Sequence, residues 1–260
     1  MILPVALIQS HAADPVVKDS PLPSAHAHND YVHPRPLLDA LDHGFCSVEA
    51  DIHLSQGQLL IGHDPEDLRP ERTLEKLYLA PLAARIQSRG GHVYDKKTEF
   101  ILLVDIKTEA AATYAVLARE LELRKTILTR FTHTAIERGA ITVILSGNRP
   151  TAIVAAQAER WCAIDGRLPD LERNPPVSLM PLISDNWGLH FKWRGRDAIP
   201  ISDLELLRKR VSQTHSQGRK LRFWATGDSP KGWALLKAEK VDLIGTDNLS
   251  ALRSFLLEPK

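Results

Sequence analysis

Short apolar runs alternate with helix-like segments along most of the chain, and this alternation limits the choice of fold more than any other feature. The runs are rich in valine, isoleucine and leucine, as in strands buried on both faces. The candidate strands are 25–28, 45–52, 59–62, 100–106, 140–145, 161–164, 179–184, 221–225 and 243–246. The candidate helices are 36–43, 109–123, 150–159, 202–216, 230–238 and 250–257. This alternation predicts a parallel sheet covered by helices on both sides.

The number of strand–helix units favours a closed barrel over an open sheet. About eight units fit into 260 residues, and an α/β barrel typically takes about 250 residues. The sequence has no G-x-G-x-x-G after the first strand and no G-x-x-x-x-G-K, so a dinucleotide fold and a P-loop find no support. We therefore predict an α/β protein with a single (β/α)8 barrel over residues 23–260, preceded by a tail or partial signal segment over residues 1–22.

Composition and charge exclude several classes of protein. A hydrophobic fraction of 43% and a net charge of +1 are ordinary for a globular domain and do not indicate a nucleic-acid partner. No run approaches the ~20 apolar residues of a transmembrane segment. The apolar N-terminus resembles a shortened secretion signal without a positive start, which leaves secreted, periplasmic and cytoplasmic locations open. Cys46 and Cys162 are predicted to be buried free thiols, and the protein is expected to be a monomer.

Acidic and basic side chains interrupt two of the most apolar candidate strands. Glu49 and Asp51 lie two residues apart, so they point to the same side of a strand and repel each other unless a cation lies between them. Asp105 and Lys107 interrupt the next such run, where an unpaired charge is costly. A metal bound by Glu49, Asp51 and Asp105, with Lys107 binding an anionic oxygen, accounts for all four. Carboxylate oxygens of this kind suit Mg²⁺ or Ca²⁺.

Three of the eleven histidines lie in or directly after the ends of candidate strands, as the acids do. Cleavage of a phosphodiester needs one group that activates the nucleophile and another that protonates the leaving oxygen. His63 is one candidate, and Asp64 is expected either to orient it or to cap the next segment. His26 and His28 are both candidates for the other role, because they share a face of an extended segment. His53 ranks below these three.

Six motifs occur in one order over residues 24–255: HAHND, GF-x-SVEADI-x-L, GHD, LLVDIKTE, FWATGD and DLIGTDN. In this order they resemble the glycerophosphodiester phosphodiesterase-like superfamily. The resemblance implies a TIM barrel of the PLC-like phosphodiesterase type with one divalent cation, Mg²⁺ or Ca²⁺. The implied roles are acid–base catalysis by His26 or His28 with His63, metal binding by Glu49, Asp51 and Asp105, phosphate contact by Lys107, and pocket lining by Trp224.

One departure from the family pattern affects phosphate binding. The usual His-Arg-Gly is His-Ala-His-Asn here, so Lys107, Arg149 or Arg167 has to supply the missing positive charge. The resemblance implies a metal-dependent phosphoric diester hydrolase of lipid metabolism that cleaves a glycerophosphodiester or a related phospholipid-derived diester. Its partner is then a small phosphodiester or a lipid headgroup.

Two alternatives remain open at this point. One is a phospholipase of sphingomyelinase-D or phosphatidylinositol type, with or without a cyclic product. An apolar rim formed by Trp187, Phe191 and Trp193 would favour it, although these side chains are equally expected to pack beneath a loop. The other is a non-catalytic barrel that binds phosphorylated ligands.

Overall fold

A computed structural model describes residues 20–95 and 98–258, and eight parallel strands form the main sheet of this part of the chain. They are β1 (Leu22–Ala27), β2 (Phe45–Ser55), β3 (Phe100–Ile106), β4 (Ile141–Gly147), β5 (Ala163–Gly166), β6 (Leu182–Asn186), β7 (Lys220–Trp224) and β8 (Ile244–Thr246). The predicted boundary at residue 23 falls inside β1, and the predicted N-terminal signal lies mostly outside the described residues.

The strands are arranged in the order β7–β6–β5–β4–β3–β2–β1–β8, and all neighbours in this series pair in parallel. The last gap, between β7 and β8, is closed by one bridge that joins Arg222 to Leu243. Backbone N–H groups of Asp242 and Leu243 donate to the carbonyl of Leu221 at this seam. The sheet is thus a nearly closed eight-stranded barrel, and the predicted TIM-barrel fold is confirmed.

Helices surround the barrel, and some of them begin at a residue whose side chain caps the first turn. The α-helices are α1 (Leu38–Asp42), α2 (Ala80–Ser88), α3 (Ala110–Leu123), α4 (Thr151–Ala156), α5 (Asp170–Arg173), α6 (Trp187–His190), α7 (Ile201–Ser216), α8 (Pro230–Ala238) and α9 (Leu249–Leu257). The side chains of Glu109, Ser229 and Asn248 accept backbone N–H groups at the starts of α3, α8 and α9. In the described part of the chain, no helix is both long and apolar enough to cross a membrane.

One predicted strand has a different role from the one expected. Residues 59–62 do not add a parallel strand, because Gln58–Ile61 pairs antiparallel with the upper end of β2. Gln56 and Gly57 both have positive φ angles of 47° and 77°, as a tight two-residue hairpin turn requires. The hairpin returns the chain to the rim of the barrel, where the backbone N–H of Gly62 donates to the carbonyl of Asp51 at 3.3 Å.

Several local predictions also need correction. The predicted loop between Pro169 and Pro181 contains helix α5, and α2 was not predicted. A small antiparallel sheet outside the barrel, also unpredicted, is formed by Arg130–Thr132, Ile136–Glu137 and Glu159–Arg160. Cys46 and Cys162 are buried free thiols, as predicted.

The aromatic side chains after β6 do not form an apolar rim. Trp187, Phe191 and Trp193 are buried, and the rings of Trp187 and Phe191 stack with their centroids 4.0 Å apart. Trp187 also donates its indole N–H to the carbonyl of Trp193 at 2.8 Å. These side chains therefore hold the loop that follows β6 onto the barrel.

The half-buried carboxyl group of Glu120 on α3 should make stability depend on pH. Its Oε2 is buried without a hydrogen-bond partner among the described residues. Burial first, and then the nearby charge of Glu75, raise its pKa to about 7. The unfolded chain releases this proton at lower pH than the folded chain, so stability is lost as the pH rises from about 4.5 to 7. Glu120→Gln should stabilise the protein at pH 8 by about 1–2 kcal/mol and have little effect at pH 4.5.

Urea unfolding at both pH values measures this difference. Glu205→Gln, which removes an exposed glutamate on α7, is the matched control. An equal gain for the two variants at pH 8 would show that overall charge, and not burial of Glu120, is the cause.

Candidate active site

The interior of the barrel changes from apolar to polar toward the carboxyl ends of its strands. Ile101 and Leu103 on β3 pack inside the barrel with Ile144, Leu182 and Leu243. Alternate residues of a strand share a face, so the next inward position on β3 is Asp105. Because the carboxyl ends of all eight strands meet at one mouth, the polar side chains there converge.

Three carboxylates meet at this mouth. Glu49, Asp51 and Asp105 each offer an oxygen atom that lies within 4.8 Å of the other two. Strand pairing explains this proximity, since Asp51 is in register with Asp105 across β2 and β3. Burial, together with the charges of Glu49 and Asp105, raises the pKa of Asp51 to about 6, although Lys107 opposes this shift.

The acidic cluster fits a divalent cation. The Oδ1 atom of Asp51 is buried and has no hydrogen-bond partner among the described residues. Such an atom normally has a partner, and a cation would supply one. Three carboxylate oxygens are also the hard donors that Mg²⁺ and Ca²⁺ prefer.

Lys107 joins two of these acids. Its Nζ lies 3.0 Å from Oδ2 of Asp51 and 3.1 Å from Oδ1 of Asp105. Burial alone would lower the pKa of Lys107, but the two carboxylates outweigh it and raise the pKa. Tyr31, which the sequence did not suggest, donates its hydroxyl to the same Oδ2 of Asp51 at 2.7 Å. Lys107 therefore stays charged at the entrance to the cluster.

The third acid, Glu49, pairs with Arg222, a cation that sequence reasoning missed. Arg222 lies on β7 with 3% of its surface exposed, and its Nη2 donates to Oε2 of Glu49 at 2.6 Å. Burial of Glu49 favours the neutral acid, but Arg222 and the hydrogen bond to His26 outweigh it and hold its pKa well below the usual range. The available signal was the position of Arg222 two residues before Trp224, on the inward face of a short apolar strand.

His26 lies beneath the cluster and is fully buried. Its Nε2 is 3.1 Å from Oε2 of Glu49, and its Nδ1 is 2.7 Å from Oγ of Ser47. Burial and the charge of Arg222 lower its pKa to about 4, so the ring is neutral at pH 7. An ionised carboxylate only accepts hydrogen bonds, so Nε2–H donates to Glu49 and Nδ1 accepts from the hydroxyl of Ser47. Both ring nitrogens are therefore engaged away from solvent.

His28 lines the cleft at the mouth, and its ring is oriented by a carboxylate. Its Nδ1 lies 2.7 Å from Oδ1 of Asp247, the residue that follows β8. The backbone N–H of Asp247 in turn donates to Oδ2 of Asp228 at 2.9 Å. Because Asp247 accepts the proton on Nδ1, the Nε2 of a neutral His28 carries a lone pair. Among the described residues, this Nε2 has no hydrogen-bond partner.

His63 lies at the rim of the same cleft, at the end of the hairpin that extends from β2. Its side chain is 56% exposed, and its Nδ1 is 3.1 Å from Oδ2 of Asp64. The buried ring of His53 makes a 3.1 Å contact from Nε2 to the carbonyl oxygen of His63. His53 thus supports the backbone of His63 and does not line the cleft.

The cleft enclosed by these side chains has a volume of about 330 Å³ and is lined by residues of both charges. The lining residues are His28, Asn29, Glu49, His63, Asp105, Lys107, Ser146, Arg167, Arg222 and Trp224. The structure thus brings most of the predicted site residues together. Asp51 lies just below the lining, and His26 lies beneath Glu49.

Of the two arginines considered for phosphate binding, Arg167 lines the cleft and Arg149 does not. The guanidinium group of Arg167 lies 4.8 Å from the centroid of the Trp224 ring and donates to Oδ2 of buried Asp165 at 2.7 Å. Arg149 is half-buried, and burial and the charge of Arg167 lower its pKa.

Comparison with known sequences identifies relatives of the chain. The model of the AIM6-like phosphodiesterase domain matches residues 16–165. The chain is 28% identical to an altered inheritance of mitochondria protein 6 homolog from Arthroderma benhamiae, over 90% of this chain and 84% of that protein. It is also 28% identical to altered inheritance of mitochondria protein 6 from Eremothecium gossypii, over 92% of this chain and 71% of that protein.

Solved structures with the same fold come from bacterial phosphodiesterases. A glycerophosphodiester phosphodiesterase from Agrobacterium tumefaciens str. C58 has a TM-score of 0.52 and 13% identity over 90% of this chain and 99% of its own. A calcium-dependent phosphoinositol-specific phospholipase C from Pseudomonas sp. has a TM-score of 0.57 and 13% identity over 92% of this chain and 94% of its own. The family match covers more than half of the chain, and these neighbours share its barrel. The chain therefore belongs to the AIM6-like phosphodiesterase domain family.

Proposed function

We propose that this protein is a metal-dependent phosphodiesterase that cleaves a glycerophosphodiester or a related phospholipid-derived diester. The observation that carries the proposal is the placement of His28 and His63 on one cleft with the three-carboxylate cluster. A barrel that only bound phosphate would not need an acid–base pair beside a metal site. Membership of the phosphodiesterase family supports the same activity.

Glu49, Asp51 and Asp105 are the residues that would hold the cation. When bound, a divalent cation supplies positive charge that offsets the charge developing on the phosphate oxygens. The Pseudomonas neighbour is a calcium-dependent phospholipase C, which is consistent with a cation at this mouth. Either Mg²⁺ or Ca²⁺ satisfies the chemistry of the donor set.

His28 acts as the general base in this proposal. Its Nε2 takes the proton of the nucleophile, which is water or a hydroxyl group of the substrate. Asp247 holds the Nδ1–H and stabilises the imidazolium that forms. The new oxygen–phosphorus bond then forms as the bond to the leaving alcohol breaks. His63 donates its proton to the departing oxygen, and so the two histidines finish with exchanged protonation states.

Cationic side chains position the phosphate group. Lys107, Arg167 and Arg222 line the cleft and replace the arginine that the family motif carries after its first histidine. All three are paired with carboxylates, but Lys107 and Arg167 keep 27% and 22% of their side chains exposed and Arg222 only 3%, so Lys107 and Arg167 are the closer candidates for direct contact. Trp224, stacked with Arg167, gives the pocket one flat apolar wall for the alcohol portion of the substrate.

Removal and return of divalent cations tests the proposal with two readouts. Protein stripped with a chelator should lose turnover of glycerophosphodiesters, lysophospholipids and sphingomyelin, and Mg²⁺ or Ca²⁺ should restore it on at least one of them. The same cation at a hundredfold excess over its Kd should stabilise the folded protein by about 2.7 kcal/mol, because it binds the folded state only. This gain should raise the melting temperature by roughly 5 °C. Asp51→Asn should abolish both responses.

Asp197→Asn, at an exposed position outside the cluster, is the matched control and should leave both responses intact. Full turnover in the presence of the chelator would contradict the metal role. A cation-dependent rise in melting temperature without turnover of any diester would favour the non-catalytic ligand-binding barrel.

A further inference from the structure

Positive charge is concentrated in the segment between β6 and α7, at the mouth end of the barrel. Lys192, Arg194 and Arg196 occur within five residues, and Lys231 at the start of α8 donates to the carbonyl of Arg196. All four side chains are exposed, and none forms an ion pair with a carboxylate of the described residues. Asp197 is the one acidic residue within this run.

The backbone beneath these cations is firmly anchored. Asp203 at the start of α7 is buried, and its Oδ2 accepts the backbone N–H groups of Lys192 and Trp193 at 2.7 and 2.8 Å. The indole of Trp193 donates to the carbonyl of Asp197 at 2.9 Å. The loop therefore presents its charges from a fixed backbone, although a long surface loop commonly lacks such support.

Exposed apolar side chains flank the same segment. Leu189 on α6 is 76% exposed, and Ile201 at the first turn of α7 is 75% exposed. Val32, after β1, is 63% exposed at the same end of the barrel. Connections that follow the strands lie at the mouth, so these side chains surround the end that carries the cleft. A nucleic acid does not need exposed leucine and isoleucine, whereas the surface of a bilayer accepts both the charges and the apolar groups.

We propose that the mouth surface, defined by Leu189, Lys192, Arg194, Arg196, Ile201 and Lys231, docks onto the surface of an anionic lipid bilayer. The cations attract acidic headgroups, and Leu189 and Ile201 enter the interfacial region. Docking in this orientation turns the cleft with His28 and His63 toward the lipid. The proposal adds a place of action to the proposed function but does not depend on it, because bilayer binding is measured without turnover.

Sedimentation with vesicles tests the proposal on the full chain. Vesicles of phosphatidylcholine with 30% phosphatidylserine should carry the protein down at low salt, and vesicles of phosphatidylcholine alone should bind it at least about tenfold more weakly. Lys192→Glu combined with Arg196→Glu should lower the partition coefficient by about 25-fold or more, since each cation contributes about fivefold. Leu189→Asp should lower it by roughly tenfold through the lost apolar contact.

Two controls lie at the opposite end of the barrel. Lys240→Glu reverses an exposed charge after α8, and Leu123→Asp alters a leucine at the end of α3 that is 83% exposed. Both should bind vesicles as the unaltered protein does. An equal loss in these controls, or an unaltered protein that stays in solution with anionic vesicles, would overturn the proposal. Binding to heparin or RNA under conditions where anionic vesicles do not bind would overturn it as well.

Discussion

Replacing His28 with alanine should lower kcat/KM for a glycerophosphodiester by about 10²–10⁴-fold, the usual contribution of a general acid or base. The ring lines the cleft, and its Nδ1 is held by Asp247 at 2.7 Å. Its side chain is partly exposed and fills no core position, so folding should be unaffected. Steady-state kinetics from pH 5 to 9 give kcat/KM as a function of pH. In His28→Ala the fall of kcat/KM toward acidic pH, which reports the general base, should be lost.

His26→Asn distinguishes the two N-terminal histidines. His26 is fully buried, and its pKa of about 4 keeps the ring neutral in the working range. The His26→Asn variant should therefore keep both limbs of the pH profile and lose stability through its contacts with Ser47 and Glu49. His133→Ala, at an exposed position away from the cleft, should resemble the unaltered protein in both assays. A lost limb in His26→Asn with an intact profile in His28→Ala would reverse the assignment.

Replacing Arg222 with methionine should destabilise the fold by about 3–5 kcal/mol at pH 7.5, because it leaves a buried carboxylate without its cation. Arg222 and Glu49 are both buried and 2.6 Å apart. The pair holds the pKa of Glu49 below its usual range, so its stabilising effect is present above about pH 4.5 and is lost as the pH falls further. In Arg222→Met the pKa of Glu49 should rise, and the loss should shrink at pH 5.

Urea unfolding of metal-free protein at both pH values measures these effects. The double variant Arg222→Met with Glu49→Gln should recover most of the lost stability, because no uncompensated charge remains. Arg208→Met, which breaks an exposed pair with Glu239, is the matched control and should cost less than about 1 kcal/mol. A loss in Arg222→Met no larger than this control would mean that Glu49 does not rely on Arg222.

The barrel and its acidic cluster were predictable because both follow from strand periodicity. Glu49 and Asp51 are alternate residues of a buried strand, and β3 was predicted with the bounds that it has in the structure. The hairpin was not predictable in the same way, because Leu59–Ile61 is as apolar as a barrel strand. Gln56 and Gly57 form the turn that makes this segment run antiparallel to β2. A pattern of hydrophobicity predicts a strand but not its direction.

The sequence also left the choice between His26 and His28 open, since both share one face of an extended segment. The structure separates them because β1 ends at Ala27. His26 is still inside the barrel, whereas His28 lies beyond the last strand residue and reaches Asp247. Arg222 was missed for a related reason: its partner, Glu49, lies 173 residues away, and pairing across a barrel interior leaves no local pattern.

Only a single bridge joins β7 to β8, so the barrel wall is held together weakly along this edge. Both sides of this edge contribute to the cleft, with Arg222 and Trp224 on β7 and Asp247 directly after β8. If this edge opened briefly, Arg222 and Trp224 would move away from Glu49 and His28, whereas Asp247 would stay beside His28 because β8 remains paired with β1. The chemistry of the cleft thus depends on the pairing of β7 with β8. A substrate or cation that contacts both strands would stabilise the closed barrel.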